Sequence, residues 1–120
     1  MAGGAKAGLG SHGEVQGIGA HWELWMMAAG GMPPLAALRS ATLDGVHSIG
    51  LSRDIGSLEP GKMADLLVLD ANPLDDIKNT SKISLVMKNG RLYDAATLDE
   101  VYPRQKPLGQ QWWWKVEPKK

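Results

Sequence analysis

The chain has 120 residues, with 43% apolar and 22% charged side chains, which is the composition of one soluble globular domain rather than a disordered segment. Thirteen Lys and Arg balance thirteen Asp and Glu, so the net charge is zero and nothing favours nucleic acid or an anionic membrane. With no cysteine, a disulfide scaffold, a thiolate metal site and a Cys nucleophile are excluded, and the compartment stays open.

The N-terminus, Met1-Ala2-Gly3-Gly4-Ala5-Lys6, lacks the basic start and apolar stretch of a signal peptide. No apolar run approaches the ~18 residues of a membrane span. Lys6-Ala7-Gly8-Leu9-Gly10 reads as a short buried strand, weak in β-branched residues. Residues 11–19 then read as a glycine-spaced loop carrying Ser11, His12, Glu14 and Gln16, a pattern suited to a binding loop and equally to an ordinary connection.

A helix follows over 21–29, stopped by Gly30-Gly31. Trp22, Trp25 and Met26 fall at i, i+3, i+4 and share one face, expected to be core. If His21 opens this helix, Glu23 lies in its first turn, where an acid suits the positive dipole end. Pro33-Pro34 starts a second helix, expected to run to Gly50, with Leu35, Leu38, Thr42, Val46 and Ile49 as its apolar stripe. Gly45 inside it costs about 1 kcal/mol against Ala, so a close packing partner is expected there. His47 on this helix reads as an exposed or packing side chain, not a ligand.

The texture then changes. Glu59-Pro60-Gly61-Lys62 is a type II turn signal, with the Lys62 side chain expected in solvent. Asp65–Asp70 is a strand bounded by acids, and Ala71-Asn72-Pro73-Leu74 a turn. Ile83–Lys88 is a second strand, ending in Asn89-Gly90, the strongest two-residue hairpin signal, and Arg91–Asp94 returns. Residues 95–120 carry little pattern apart from Trp112-Trp113-Trp114. Neighbouring side chains of a strand alternate sides, so at least one of these rings should be exposed or docked on another chain.

The run Ala36–Thr42, the pair Ile49-Gly50, the block Ile55-Gly56-Ser57-Leu58-Glu59-Pro60-Gly61-Lys62-Met63-Ala64-Asp65-Leu66-Leu67-Val68-Leu69-Asp70 and the turn Lys88-Asn89-Gly90 together resemble the C-terminal signature of metal-dependent amidohydrolases, nearest to the imidazolonepropionase-like ones. The resemblance implies an α/β fold that is a C-terminal fragment: residues 1–50 as the last strand and helices of a TIM-type barrel, 51–98 as the C-terminal portion of a small antiparallel β-sandwich, and 99–120 as a tail. A whole barrel takes about 250 residues.

The resemblance also implies hydrolysis of non-peptide carbon–nitrogen bonds, often in a cyclic amide, by metal-activated water. The metal is zinc or another divalent ion. The family's His-x-His motif and its further ligands precede the last barrel strand, and with three histidines in all this chain is expected to hold no metal alone. The last strand of the family ends in an Asp that binds metal and handles the proton of the attacking water. His12 stands in its place and is the candidate catalytic residue. A neutral imidazole can ligate or accept a proton but lacks the carboxylate's charge. Glu14, His21 and Trp22 are the candidate substrate-binding residues. Two further possibilities stand beside the hydrolase: a non-catalytic, oligomerising remnant of the fold, and a subunit that completes another chain's barrel. The expected partners are copies of this chain or an N-terminal barrel portion.

Overall fold

The computed structural model describes residues 6–10 and 15–111. Three helices come first: α1 (Ile18–Ala29), α2 (Pro34–Ser40) and α3 (Leu43–Ser48). Four strands follow: β1 (Leu66–Leu69), β2 (Ile83–Lys88), β3 (Arg91–Asp94) and β4 (Glu100–Tyr102), with a 3-10 helix, Ile77–Ser81, between β1 and β2. The strands form one antiparallel sheet in sequential order, β1-β2-β3-β4. No helix among the described residues is long and apolar enough to cross a membrane.

The expected helix over 33–50 is two helices. Thr42 leaves helical geometry at φ −129° and ψ −104°, and its hydroxyl donates to the Leu38 carbonyl at 2.8 Å. Side-chain hydroxyls that bond local carbonyls compete with the helix ladder. The chain restarts with α3 folded back so tightly that a Cβ on Gly45 would stand 2.8 Å from the Ser40 carbonyl oxygen. The packing partner expected for Gly45 is therefore this break. The buried face of α2 is Ala37 and Ser40, while Leu35 and Ile49 of the expected stripe are exposed.

Residues 6–10 adopt no regular secondary structure, against the expected strand. A strand needs a neighbour to take its backbone hydrogen bonds, and the only sheet among the described residues, β1–β4, does not include this segment.

The sheet follows the sequence closely. Asn89 (φ 49°) and Gly90 (φ 77°) both take the left-handed conformation that a two-residue primed turn requires. The hairpin pairs Lys88 with Arg91 and Leu85 with Asp94. Asp65, just before β1, clips this turn: its Oδ1 accepts the Asn89 N–H at 2.6 Å, its Oδ2 pairs with Lys88, and the neighbouring Ala64 carbonyl accepts the Gly90 N–H. The two most recognisable sequence blocks, Ile55–Asp70 and Lys88–Gly90, are thus one structural unit. A fourth strand, β4, comes from the segment read as a tail. Glu100 and Lys106 exchange both backbone hydrogen bonds behind it. Its three residues are too few to show a period in the sequence.

Candidate functional site

The polar groups that tie the N-terminal segment to the rest converge on α1. Glu23 receives the Gly10 backbone N–H on both carboxylate oxygens, at 2.9 and 3.1 Å. Since α1 begins at Ile18, Glu23 is beyond the first turn. It acts as a clamp on residues 6–10, not as the dipole partner expected from the sequence.

Through residues two positions to either side of Glu23, α1 docks on the 3-10 helix. The Trp25 indole N–H is shared between the Thr80 hydroxyl at 3.0 Å and the Ile77 carbonyl at 3.1 Å. His21 Nδ1 lies 3.1 Å from the same hydroxyl, and its ring is 6.3 Å from that of Trp25. Thr80 is 4% exposed. Buried polar groups of this kind cost stability unless they are paired, and here each has a partner. The face of α1 turned inward is therefore His21, Leu24 and Trp25. The expected shared face of Trp22, Trp25 and Met26 is divided, because Trp22 and Met26 stand exposed. The indole N–H explains the rotation: it is satisfied only against Thr80 and Ile77.

Of the candidate residues, His21 is half-buried and bonded to Thr80, and Trp22 lies on the open side of α1. His12 and Glu14 lie outside the described residues. His47 is exposed on α3, as expected. Thr80 and the clamp role of Glu23 were not legible in the sequence. Thr80 sits in the polar run Asp76–Ser81, whose only local signal is Asp76 accepting the Lys78 N–H. Its partners are more than fifty residues away in the chain.

Lys62 corrects another expectation. Its side chain is 13% exposed, and Nζ donates to the Ser52 carbonyl at 2.8 Å and the Ser57 hydroxyl at 2.6 Å, with Glu59 at 3.4 Å. It staples the 52–62 loop together. Ser57 and then Lys62 hold the Glu59 carboxyl below its ordinary range.

Two hollows flank the helices. One of about 510 Å³ is lined by Gly30, Gly31, Ala36 and Ser40 together with Met27, Met32 and Asp44. The other, about 520 Å³, is apolar and lies between Leu38 of α2, Leu58 and the β1 side chains Leu66 and Leu69. Among the described residues no three His, Asp or Glu side chains gather as a metal site. The described residues do not by themselves fit a divalent metal.

The model of the Amidohydrolase family matches residues 3–93. The chain is 41% identical over 64 residues to an imidazolonepropionase of Geobacillus thermodenitrificans, a match that covers 51% of this chain and 15% of that protein. It is 38% identical over 68 residues to an ochratoxinase of Aspergillus niger, covering 53% of this chain and 14% of that one. Among solved structures, a Xaa-Pro dipeptidase crystallised with bound methionine superposes with a TM-score of 0.70 at 34% identity, over 77% of this chain and 23% of that chain. Molinate hydrolase superposes at a TM-score of 0.64 and 34% identity, over 67% and 17%. The matched stretch is thus about a seventh of the curated relatives and under a quarter of the solved ones. The break between α2 and α3, the Lys62-stapled turn and the Asp65-clipped hairpin all fall within residues 3–93, and the chain belongs to the Amidohydrolase family.

Proposed function

We propose that this chain is the C-terminal share of a hydrolase that cleaves carbon–nitrogen bonds. In this reading, residues 6–10 and α1–α3 end a (β/α)8 barrel. The β1–β4 sheet is one portion of a small β-sandwich. His12 is the catalytic candidate at the end of the last barrel strand. Glu14, His21 and Trp22 border the substrate, whose finer class is a cyclic amide. The parent's metal, zinc or another divalent ion, is held by residues that this chain does not contain.

The observation that carries the reading is the family match over residues 3–93, with the Xaa-Pro dipeptidase superposing on three-quarters of the chain. The structure supports it through the sheet. Leu67 and Val68 face opposite sides of β1 and are 52% and 40% exposed. A sheet that is apolar on both faces is built to be covered on both.

A chimera tests it: this chain replaces the matching segment of the solved Xaa-Pro dipeptidase. The expected result is a soluble, metal-loaded protein that hydrolyses a carbon–nitrogen bond and loses that activity on His12→Ala. A soluble, metal-loaded chimera without turnover would contradict the hydrolase reading. That result would favour the second one, a non-catalytic chain that associates through its open apolar faces.

A further inference from the structure

We propose that Thr80 is a positioning residue that fixes the tautomer of His21, placing the proton on Nδ1 and the free lone pair on Nε2. The inference rests on the reading of His21 as a residue bordering the substrate. Its ground is the proton inventory around one buried oxygen. Thr80 Oγ1 has three polar neighbours: the Ile77 carbonyl at 2.9 Å, Trp25 Nε1 at 3.0 Å and His21 Nδ1 at 3.1 Å. A hydroxyl has one proton and two lone pairs. The indole N–H can only donate, so it takes one lone pair. The hydroxyl proton goes to the Ile77 carbonyl, the nearest of the three and an acceptor only. What remains toward His21 is a lone pair. With that assignment Nδ1 is the protonated nitrogen.

The consequence is chemical. A neutral imidazole protonated at Nδ1 offers Nε2 as an acceptor. That suits a ligand that presents a donor, such as the N–H of an amide or a water molecule, and not one that presents a carbonyl oxygen. Were Thr80 to turn its proton toward His21, the Ile77 carbonyl would lose its 2.9 Å hydroxyl donor and keep only the indole N–H, at 3.1 Å and shared with Thr80. A residue of the 3-10 helix, distant in sequence, thereby decides what kind of group His21 can receive.

The test is the long-range proton–nitrogen correlation spectrum of the 15N-labelled 120-residue chain at about pH 8.5, above the ordinary histidine range. The His21 signals are assigned by their loss in His21→Gln. The Nδ1–H pattern is expected for His21 in the unsubstituted chain and in Thr80→Ser. In Thr80→Val a shift toward the Nε2–H pattern is expected. An Nε2–H pattern in the unsubstituted chain overturns the proposal, and that measurement decides even where Thr80→Val fails to fold. A folded Thr80→Val with an unchanged His21 pattern overturns it as well. Neither result bears on whether the chimera hydrolyses its substrate, so the two readings fail separately.

Discussion

Gly56 has φ 95°, and a Cβ built on it would fall inside contact distance of both Val46 methyls. Gly56→Ala therefore combines left-handed strain with overpacking. It should destabilise the fold by about 2 kcal/mol or more. Val46→Ala in the same chain should recover part of that loss, because it removes the clash and leaves the strain. Chemical denaturation of the two single variants and the double variant measures the coupling, and strictly additive losses would contradict the contact. Gly90 differs, since a Cβ there meets nothing within 4 Å. Gly90→Val should still cost more than about 1 kcal/mol, from φ 77° alone. An unchanged melting temperature would argue against the two-residue turn. The contrast shows what a sequence displays. Asn89-Gly90 declares its turn because positive φ is a property of those residue types. The demand on Gly56 comes from a side chain on another element, and no local pattern marks it.

At the scale of elements, the strands and the hairpin were readable because their apolar residues run in short blocks between turn residues. The break after Ser40 was not, because the apolar spacing of Leu38, Thr42 and Val46 continues through it while the hydroxyl of Thr42 and the close approach at Gly45 divide the backbone. Lys62 was misjudged for a related reason: a lysine in a turn is ordinarily solvated, and only the fold of residues 52–57 brings acceptors around it. Lys62→Met keeps the stem and removes the donors to Ser52 and Ser57. A loss of about 1–3 kcal/mol is expected, as for hydrogen bonds of a charged group, measured by denaturation. The sheet also carries a pH dependence. Hydrogen bonds from Lys88 and the Asn89 N–H hold the Asp65 carboxyl below its ordinary range. The Thr97 and Ala96 N–H groups do so for Asp94, and Arg104 for Glu100. Carboxyls lowered by folding add stability above their unfolded values, about 4, and that stability is lost as pH falls through the lower folded values. The melting temperature should therefore fall as pH drops below about 4, and Asp65→Asn should flatten part of that fall. A melting temperature that rises on acidification would contradict these pairings.

At the scale of the whole molecule, only two apolar residues among those described are buried, Leu24 and Ala37. Leu58, Met26 and Ile49 are 76%, 71% and 66% exposed. Covering a large apolar side chain contributes roughly 1.5–3 kcal/mol, so these faces favour association. Neutral net charge supplies little repulsion against it. The proposal of cover rests, in the sequence, on the order of elements, short helices followed by a few short strands. Which surfaces stay open was not legible there, because it depends on how α1 rotates to satisfy Trp25 and on where α2 ends. Trp112-Trp113-Trp114, expected near a contact, lies outside the described residues. The central proposal is that this chain's exposed apolar faces are covered by further protein. Light scattering of the 120-residue chain at micromolar concentration tests it most directly. The account predicts the mass of a dimer or a higher oligomer, and a stable, cooperatively folding monomer would contradict it.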